Sequence, residues 1–218
     1  MSYLASWSGG KDCCLASWEA SRQGYEVSHL FNTISRDYGR VRFHGTEARL
    51  IQMQAEALGL PLLQVSTGGE SYTEDFKRAL QPLPTGITGM VFGDMYNDQH
   101  LEWVQQICAD LGVAAVEPLW GREPVEVLLA FLEAGFEATI VCVNGALIDQ
   151  AWVGQPVDHR FREYLHHQGL DPCGENGEYH SLVVDGPLFQ RGLQITKSRT
   201  VERDGYFMLD TEQYGWKA

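Results

Sequence analysis

Apolar and polar positions alternate along the first half of the chain in short blocks that change from strand-like to helical spacing. We predict strands at 3–7, 27–33, 62–65, 89–92 and 113–116. We predict helices at 12–23, 46–58, 72–80 and 98–111, of which the second is the clearest because Gly59 ends it. Strands and helices in strict alternation favour right-handed crossovers, and therefore an α/β fold whose parallel sheet is covered by helices on both faces.

The pattern changes after the Pro-bounded segment 117–124, which is typical of a hinge or a domain boundary. Beyond it we predict helices at 125–134 and 158–168 and strands at 138–143, 182–184, 193–198 and 201–209, with a turn near Asp204. This mixture indicates a smaller α+β domain. We therefore divide the chain into domains at 1–118 and 119–218.

Composition restricts the class of protein. At 218 residues, 44% of them hydrophobic, the chain can bury a sizeable core, and no stretch has the length of a membrane span, so we expect no membrane partner. Five scattered cysteines favour reduced thiols and a cytoplasmic location. A net charge of −13 argues against extensive nucleic-acid binding, although Lys11, Arg36, Arg40 and Arg42 could form a local basic patch.

The first chemical motif directly follows the first predicted strand and leads into a helix. It consists of Ser8, Gly9, Gly10, Lys11, Asp12 and Cys13. Glycines let backbone N–H groups approach phosphate oxygens, and the positive end of the helix points into the same space. Lys11 would add a mobile positive charge, and Asp12 would either cap the helix or face a magnesium ion. The alternative is a polar turn without a ligand.

The second motif is a dense polar cluster in a chain that is only 21% charged. It runs from Asp171 to Ser181 and includes Cys173, Gly174, Glu175, Asn176, Gly177, Glu178, Tyr179 and His180. Two carboxylates three residues apart attract a cation, and their crowding raises the pKa of one of them. The alternative is a surface hairpin, because Asn-Gly is a strong signal for a two-residue turn.

Together the motifs resemble those of the diphthine–ammonia ligase family, a branch of the ATP pyrophosphatase superfamily with its S-G-G-x-D-S loop. The resemblance covers essentially the whole chain and includes His44-Gly45, Gly93-Asp94 and the segments 54–62 and 147–154. It implies a HUP-type nucleotide-binding domain, a small substrate domain and an active site between them. It also implies ATP and Mg²⁺, adenylation of a carboxylate, and amidation by ammonia with release of AMP and pyrophosphate.

In that family the acceptor is diphthine, a modified histidine of elongation factor 2. This chain departs from the family pattern, since Cys13 replaces a serine, Asn176 replaces a glycine and His180 replaces a glutamate. A thiol is a weaker donor than a hydroxyl, so one phosphate contact would be weakened. The Asn and His version is similar to the bacterial branch, and bacteria lack diphthamide. A bacterial source would therefore imply another carboxylate acceptor, and we leave a homodimer open.

Candidate roles follow from the resemblance and from residue chemistry. The nucleotide-binding set is residues 8–13 with Asp94, and the magnesium set is Asp12 with Asp94, which could equally cap a helix. Catalysis is assigned to Lys11, Glu175, Glu178 and His180, where the carboxylates bind ammonium or remove its proton. His180 could share that step or be a polar strand residue. Substrate contacts are assigned to residues 174–179 and to His44, which could otherwise start a helix.

Two rival functions remain at this point. A tRNA-thiolating enzyme of the same superfamily would require a C-x-x-C pair or a persulfide cysteine and a basic face, and neither is visible. A non-catalytic ATP sensor would leave the cluster at 175–180 without a role. We therefore predict an ATP-dependent carboxylate–ammonia ligase.

Overall fold

The structure is a computed structural model that describes residues 1–41 and 44–217. Five strands form the first sheet: β1 (Ser2–Ser6), β2 (Glu26–Ser35), β3 (Leu62–Thr67), β4 (Ile87–Val91) and β5 (Ala114–Val116). Four helices connect them: α1 (Lys11–Arg22), α2 (Ala48–Leu58), α3 (Tyr72–Ala79) and α4 (Asp98–Leu111). All neighbours pair in parallel, in the order β3-β2-β1-β4-β5. The predicted α/β fold is confirmed.

Helices cover both faces of this sheet because successive side chains of a strand point in opposite directions. Ala5 of β1 packs into a core with Leu15 of α1 and Leu50 of α2. Its neighbour Leu4 packs into a second core with Phe76 of α3 on the other face. The sheet is therefore buried on both sides, as the near-continuous apolar runs of its strands predict.

The second half forms an antiparallel sheet with two helices. Its elements are α5 (Pro124–Glu133), β6 (Glu137–Asn144), a 3₁₀ turn (Gln150–Trp152), α6 (His159–Gln168), β7 (Tyr179–Asp185), β8 (Leu193–Arg203) and β9 (Tyr206–Trp216). The strand order is β7-β6-β9-β8, which confirms the predicted α+β unit. The predicted strand at 201–209 was wrong. Asp204 and Gly205 have φ of 52° and 81°, so a tight turn there ends β8 and β9 starts after it.

The two sheets share one hydrophobic core. α1 lies between them, with Leu15 packed under the first sheet and the Trp18 ring edge-on to Phe136, 6.4 Å away between ring centroids. Val183 of β7 belongs to the same core. The division at 118/119 therefore stays a prediction, since the core runs across it. Within the described ranges, no helix has the length and apolar character that crossing a bilayer requires.

The predicted basic patch is not formed by the residues that the structure describes. Arg36 pairs with Asp75 at 2.8 Å, Arg40 pairs with Asp210 at 2.7 Å, and Lys11 also has a carboxylate partner. Arg42, the fourth member, lies outside the described residues.

Candidate active site

The candidate site lies where the strand order of the first sheet reverses, between β1 and β4. Loops that follow two such neighbouring strands diverge and leave a crevice at their carboxyl ends. The first motif follows β1, and Gly93 with Asp94 follows β4. A Cβ at Gly93 would stand 2.8 Å from the carbonyl carbon of Asp12 and 2.9 Å from the nitrogen of Cys13. A glycine is therefore required for the end of β4 to pack against the start of α1.

The two glycines of the first motif are also packing residues. Gly9 has a φ of 83°, in the left-handed region that favours glycine, and a Cβ there would stand 2.6 Å from Oε1 of Gln54. Gly10 caps α1, and its Cβ would stand 2.7 Å from Cε1 of His44. Both glycines thus let neighbouring side chains close over the loop.

Gln54 of α2 holds this loop in place through hydrogen bonds. The sequence analysis did not identify it as a site residue. It is fully buried, and its Oε1 accepts a hydrogen bond from the Trp7 indole at 2.9 Å. Its Nε2 donates to the carbonyls of Gly9 at 2.9 Å and of Val183 at 2.7 Å. One amide therefore joins β1, the loop and β7. The available signal was an amide within an apolar helix face, where a buried polar group requires partners.

The second half of the chain lies directly against the loop. The Val183 backbone N–H donates to the Gly9 carbonyl at 2.9 Å, and the Lys11 N–H donates to Oγ of Ser181 at 3.2 Å. The two motifs therefore line a single cleft of about 720 Å³. Its walls include the predicted site residues Lys11, Asp12, His44, Asp94, Gly174, Glu175, Gly177, Tyr179 and His180, two further members of the second motif, Cys173 and Ser181, and the unpredicted residues Asn97, His100, Tyr206 and Met208.

Lys11 is held in place, so the prediction of a mobile charge was wrong. Its side chain is 4% exposed, and Nζ donates to Oδ2 of Asp12 at 2.9 Å and to the carbonyl of Cys173. The ammonium also lies 4.9 Å from the centroid of the Tyr179 ring. Burial opposes the charged form, but Asp12 and the other acidic neighbours outweigh it and raise the pKa of Lys11 well above its ordinary value.

Asp12 has one carboxylate oxygen available for a ligand. Gly10 rather than Asp12 is the N-cap of α1, so the predicted cap alternative was wrong. Oδ2 pairs with Lys11, whereas Oδ1 is buried and has no hydrogen-bond partner among the described residues. Burial raises the pKa of Asp12, and Lys11 opposes that shift. A buried oxygen of this kind suits a cation or a donor supplied by a ligand.

Asp94 is not a helix cap either, since Asn97 caps α4 and accepts from the His100 N–H at 3.2 Å. Instead Asp94 pairs with Nδ1 of His100 at 2.6 Å, and this hydrogen bond raises the pKa of His100. The His100 ring stacks on Trp103 with centroids 5.2 Å apart. Burial, with Asp94 nearby, raises the pKa of Glu117 to about 7.

Magnesium was predicted at Asp12 and Asp94. Among residues 1–41 and 44–217, no group of three His, Cys, Asp or Glu side chains is arranged to hold a metal. Two carboxylates at the cleft are nevertheless compatible with Mg²⁺, because this ion usually takes one or two carboxylates and completes its shell with phosphate oxygens and water. The free Oδ1 of Asp12 fits that donor set.

Glu175 and Glu178 do not form the predicted pair. Glu175 lines the cleft, and its pKa is raised to about 8 by loss of water and then by the charges of Asp12 and Asp94. Glu178 is buried and accepts from Asn176, at 3.0 Å from the backbone N–H and 3.3 Å from Nδ2. Neither Glu178 nor Asn176 lines the cleft, so their position favours a role in shaping the turn over the predicted substrate contact.

His44 and His180 stack at one side of the cleft, with ring centroids 4.7 Å apart. Nδ1 of His44 lies 3.2 Å from the carbonyl oxygen of Ser181, which places a proton on that nitrogen. Burial lowers the pKa of His44 to about 4 and that of His180 well below its ordinary value, so both rings are neutral. His44 precedes α2 by several residues, so it is not a helix-start residue.

Cys13 and Ser8 do not face the main cleft. The Cys13 thiol donates to the Gly10 carbonyl at 3.2 Å, and Oγ of Ser8 lies 3.6 Å from its sulfur. Burial opposes the thiolate, but hydrogen bonds outweigh it and lower the pKa of Cys13. Ser8 lines a smaller adjoining cavity of about 180 Å³, which shares His44 and His100 with the cleft.

Comparisons with known proteins found a matching family for each half of the chain. Residues 1–115 match a family described as "Diphthamide synthase N-terminal domain", and residues 123–214 match "Diphthamide synthase C-terminal domain". Relatives named diphthine–ammonia ligase occur in Schizosaccharomyces pombe (26% identity, 93% of this chain, 37% of that protein), Danio rerio (25%, 89% and 86%) and Homo sapiens (25%, 89% and 82%). The chain thus spans little more than a third of the yeast relative and most of the two animal relatives.

A solved structure described as a predicted subunit of tRNA methyltransferase from Methanocaldococcus jannaschii is also similar. Its TM-score is 0.48 at 16% identity, over 86% of this chain and 98% of that chain.

Proposed function

The chain belongs to the diphthamide synthase family, and from this premise we propose that it is an ATP-dependent ligase that adenylates a carboxylate and amidates it with ammonia, releasing AMP and pyrophosphate. One observation carries the proposal: Lys11 and Asp12, at the start of α1 directly after the glycine loop, line the same cleft as the turn before β7. A phosphate-binding loop and a group suited to proton transfer are thereby within reach of one substrate.

The phosphates of ATP would lie at the N-terminus of α1, where the helix dipole and Lys11 favour negative charge. Asp12 and Asp94 would hold Mg²⁺, which when bound neutralises charge on the phosphates. Lys11 cannot swing away because Asp12 and Cys173 hold it, so its charge is already oriented when pyrophosphate departs. The cavity beside Ser8, Asn32 and Tyr72 would take the nucleoside.

Glu175 and His180 are the groups that would take the proton from the attacking nitrogen. A carboxyl whose pKa is about 8 titrates close to neutral pH, where a general base is most effective. His180 is the weaker candidate of the two, because burial lowers its pKa and so disfavours the protonated ring. We assign Glu178 to holding the turn that presents Glu175, through its bonds to Asn176.

The acceptor is proposed in two forms. The relatives are named for diphthine, and we propose the same acceptor for this chain if its source makes diphthamide. Asn176 and His180 favour the bacterial branch, in which another carboxylate would take its place. All five cysteines are free thiols, which supports the proposed cytoplasmic location. The homodimer stays a prediction.

The test measures the products of ATP in the presence of Mg²⁺, ammonium and a carboxylate acceptor. AMP and pyrophosphate are expected, and direct formation of ADP and phosphate would contradict the proposal. Lys11→Met should lower carboxylate-dependent ATP–pyrophosphate exchange by about 10²–10³-fold, the scale for losing one preorganised charge. Lys197→Met is the matched control, because Lys197 is 62% exposed on β8. Thermal melts separate loss of catalysis from loss of folding. ATP binding without turnover on any acceptor would favour the nucleotide sensor.

A further inference from the structure

A second cavity, of about 420 Å³, adjoins the candidate active site. It lies between the segment that follows β2 and the turn of the β8–β9 hairpin. Tyr206 and Met208 line both this cavity and the active-site cleft, so the two spaces share a wall. No role assigned above uses this cavity, and its volume is within the range of about 300–1,000 Å³ that small-molecule sites occupy.

The lining of this cavity combines an apolar wall with a positive end. Val41, Tyr206 and Met208 supply apolar and aromatic surface, while Arg203 is the last residue of β8, directly before the hairpin turn. Within the described ranges Arg203 makes no ion pair, in contrast to Arg40, which bonds to an aspartate at 2.7 Å.

Arg203 is the cationic group of this lining that is available to a ligand. Arg40 is already neutralised by Asp210, whereas the Arg203 guanidinium has no ion-pair partner among the described residues, although the Asp204 carboxylate also lines the cavity. A guanidinium matches a carboxylate with two parallel N–H donors, which gives this end of the cavity a preference for anions.

The shared walls of the three cavities indicate what the second one receives. The small cavity beside Ser8 shares His44 and His100 with the cleft, and the 420 Å³ cavity shares Tyr206 and Met208 with it. The two smaller cavities also share Val41, so all three adjoin one another. If ATP extends from the small cavity into the cleft past His44 and His100, the side of the cleft at Tyr206 and Met208 is left for the acceptor. Tyr38, which is 72% exposed, stands at the rim and leaves the cavity open to solvent.

We propose that this cavity binds the part of the acceptor that does not react, and that the acceptor is an elongated dicarboxylate. One carboxylate enters the cleft to be activated, the apolar body lies against Tyr206 and Met208, and the far carboxylate pairs with Arg203. This assignment rests on the function proposed above, in its second form, in which a carboxylate other than diphthine is the acceptor, and it names the class of that acceptor.

The experiment uses three probes that differ only at the far end: 3-(4-carboxyphenyl)propanoate, 3-phenylpropanoate and 3-(4-aminomethylphenyl)propanoate. Binding to the full chain without ATP is measured by calorimetry and ligand-observed NMR. The dicarboxylate should bind about tenfold more tightly than the other two, the scale of one charge-assisted bond at a partly exposed site. Arg203→Leu should abolish that preference and Arg203→Glu should reverse it toward the aminomethyl probe.

Arg22→Leu is the matched control, because Arg22 is an exposed arginine in the last turn of α1, at the far end of that helix from the loop. It should keep the wild-type preference. Equal affinity for all three probes, no binding of any probe at millimolar concentration, or a preference that survives Arg203→Leu would each overturn the assignment.

Thermal melts show whether each variant is folded. Tyr38→Ala is a second variant, which changes the rim of the cavity and leaves the β8–β9 turn unchanged. The two proposals fail separately. A protein that forms AMP and pyrophosphate but shows no far-end preference overturns only the acceptor cavity. A protein that binds the dicarboxylate but never converts ATP overturns the ligase.

Discussion

Gln54→Leu tests whether one buried amide organises the phosphate loop. Leucine has a similar volume, so the substitution creates little cavity and removes mainly hydrogen bonds. Gln54 accepts from the Trp7 indole and donates to the carbonyls of Gly9 and Val183. The Gly9 carbonyl keeps its bond from the Val183 N–H, but the Trp7 indole has a single donor and would lose its partner.

The magnitude follows from these contacts. An unpaired buried donor costs about 1–3 kcal/mol. The carbonyls of Gly9 and Val183 each lose the hydrogen bond from Gln54 as well, so the total loss in unfolding free energy should be about 2–4 kcal/mol. For a chain of this size each kcal/mol lowers Tm by roughly 2–4 °C, so Tm should fall by about 5–15 °C. ATP affinity should fall as well, since the Gly9 peptide loses the contact that fixes its orientation.

Calorimetric melts and ATP titrations measure both effects. Gln52→Leu is the matched control: Gln52 is on the same helix but exposed, with surface bonds to Gln64 at 2.9 Å and from Arg49 at 3.3 Å, and should change stability by no more than about 0.5 kcal/mol. Trp7→Phe removes the donor from the other side, so the double variant should lose about 1 kcal/mol less than the sum of the single variants. A Tm for Gln54→Leu within about 2 °C of the wild-type Tm would mean a loss of less than about 1 kcal/mol in unfolding free energy, and it would refute the reasoning.

Two further predictions concern the cleft. Gly93→Ala should lose about 1–3 kcal/mol of unfolding free energy and weaken ATP binding, because the new Cβ meets the backbone of Asp12; Gly215→Ala, with open space around it, should do neither. Folding raises the pKa of Glu175 from 4.5 to about 8, so the folded state favours the protonated carboxyl. The stability that Glu175 contributes in this way is fully present below pH 4.5 and is lost as the pH rises through about 8. The Tm of wild type should therefore fall relative to that of Glu175→Gln across this interval, and parallel melting curves at all pH values would contradict it.

Local signals in the sequence were sufficient for most of the fold. The first sheet and its helices follow from apolar runs and helical spacing, and α2 ends at Gly59, whose φ of 69° is the left-handed conformation that stops a helix. The β8–β9 hairpin was harder, because an exposed strand such as β8 has little apolar alternation. Its length is fixed by pairing with β9 rather than by its own residues.

The sequence motifs were sufficient to locate the site, but not to predict the orientation and the partners of its side chains. Glu175 and Glu178 look equivalent in sequence. In the structure Glu175 lines the cleft, whereas Glu178 accepts a hydrogen bond from the backbone of Asn176 within the turn. Lys11 looked mobile because its partner, the carbonyl of Cys173, is 162 residues away. His100 and Tyr206 reach the cleft from a helix and a hairpin that carry no recognisable motif, so only the tertiary arrangement reveals them.

The contact between Lys11 and Ser181 also sets an order of events during synthesis. These residues are 170 positions apart, so a ribosome adding 5–20 residues per second needs about 10–30 s to deliver the partner of the loop. Until β7 emerges, the loop after β1 lacks the Val183 N–H and the Ser181 hydroxyl that hold it. If the proposed function is correct, a nascent chain therefore cannot complete the loop for carboxylate activation before the half with Glu175 has been made.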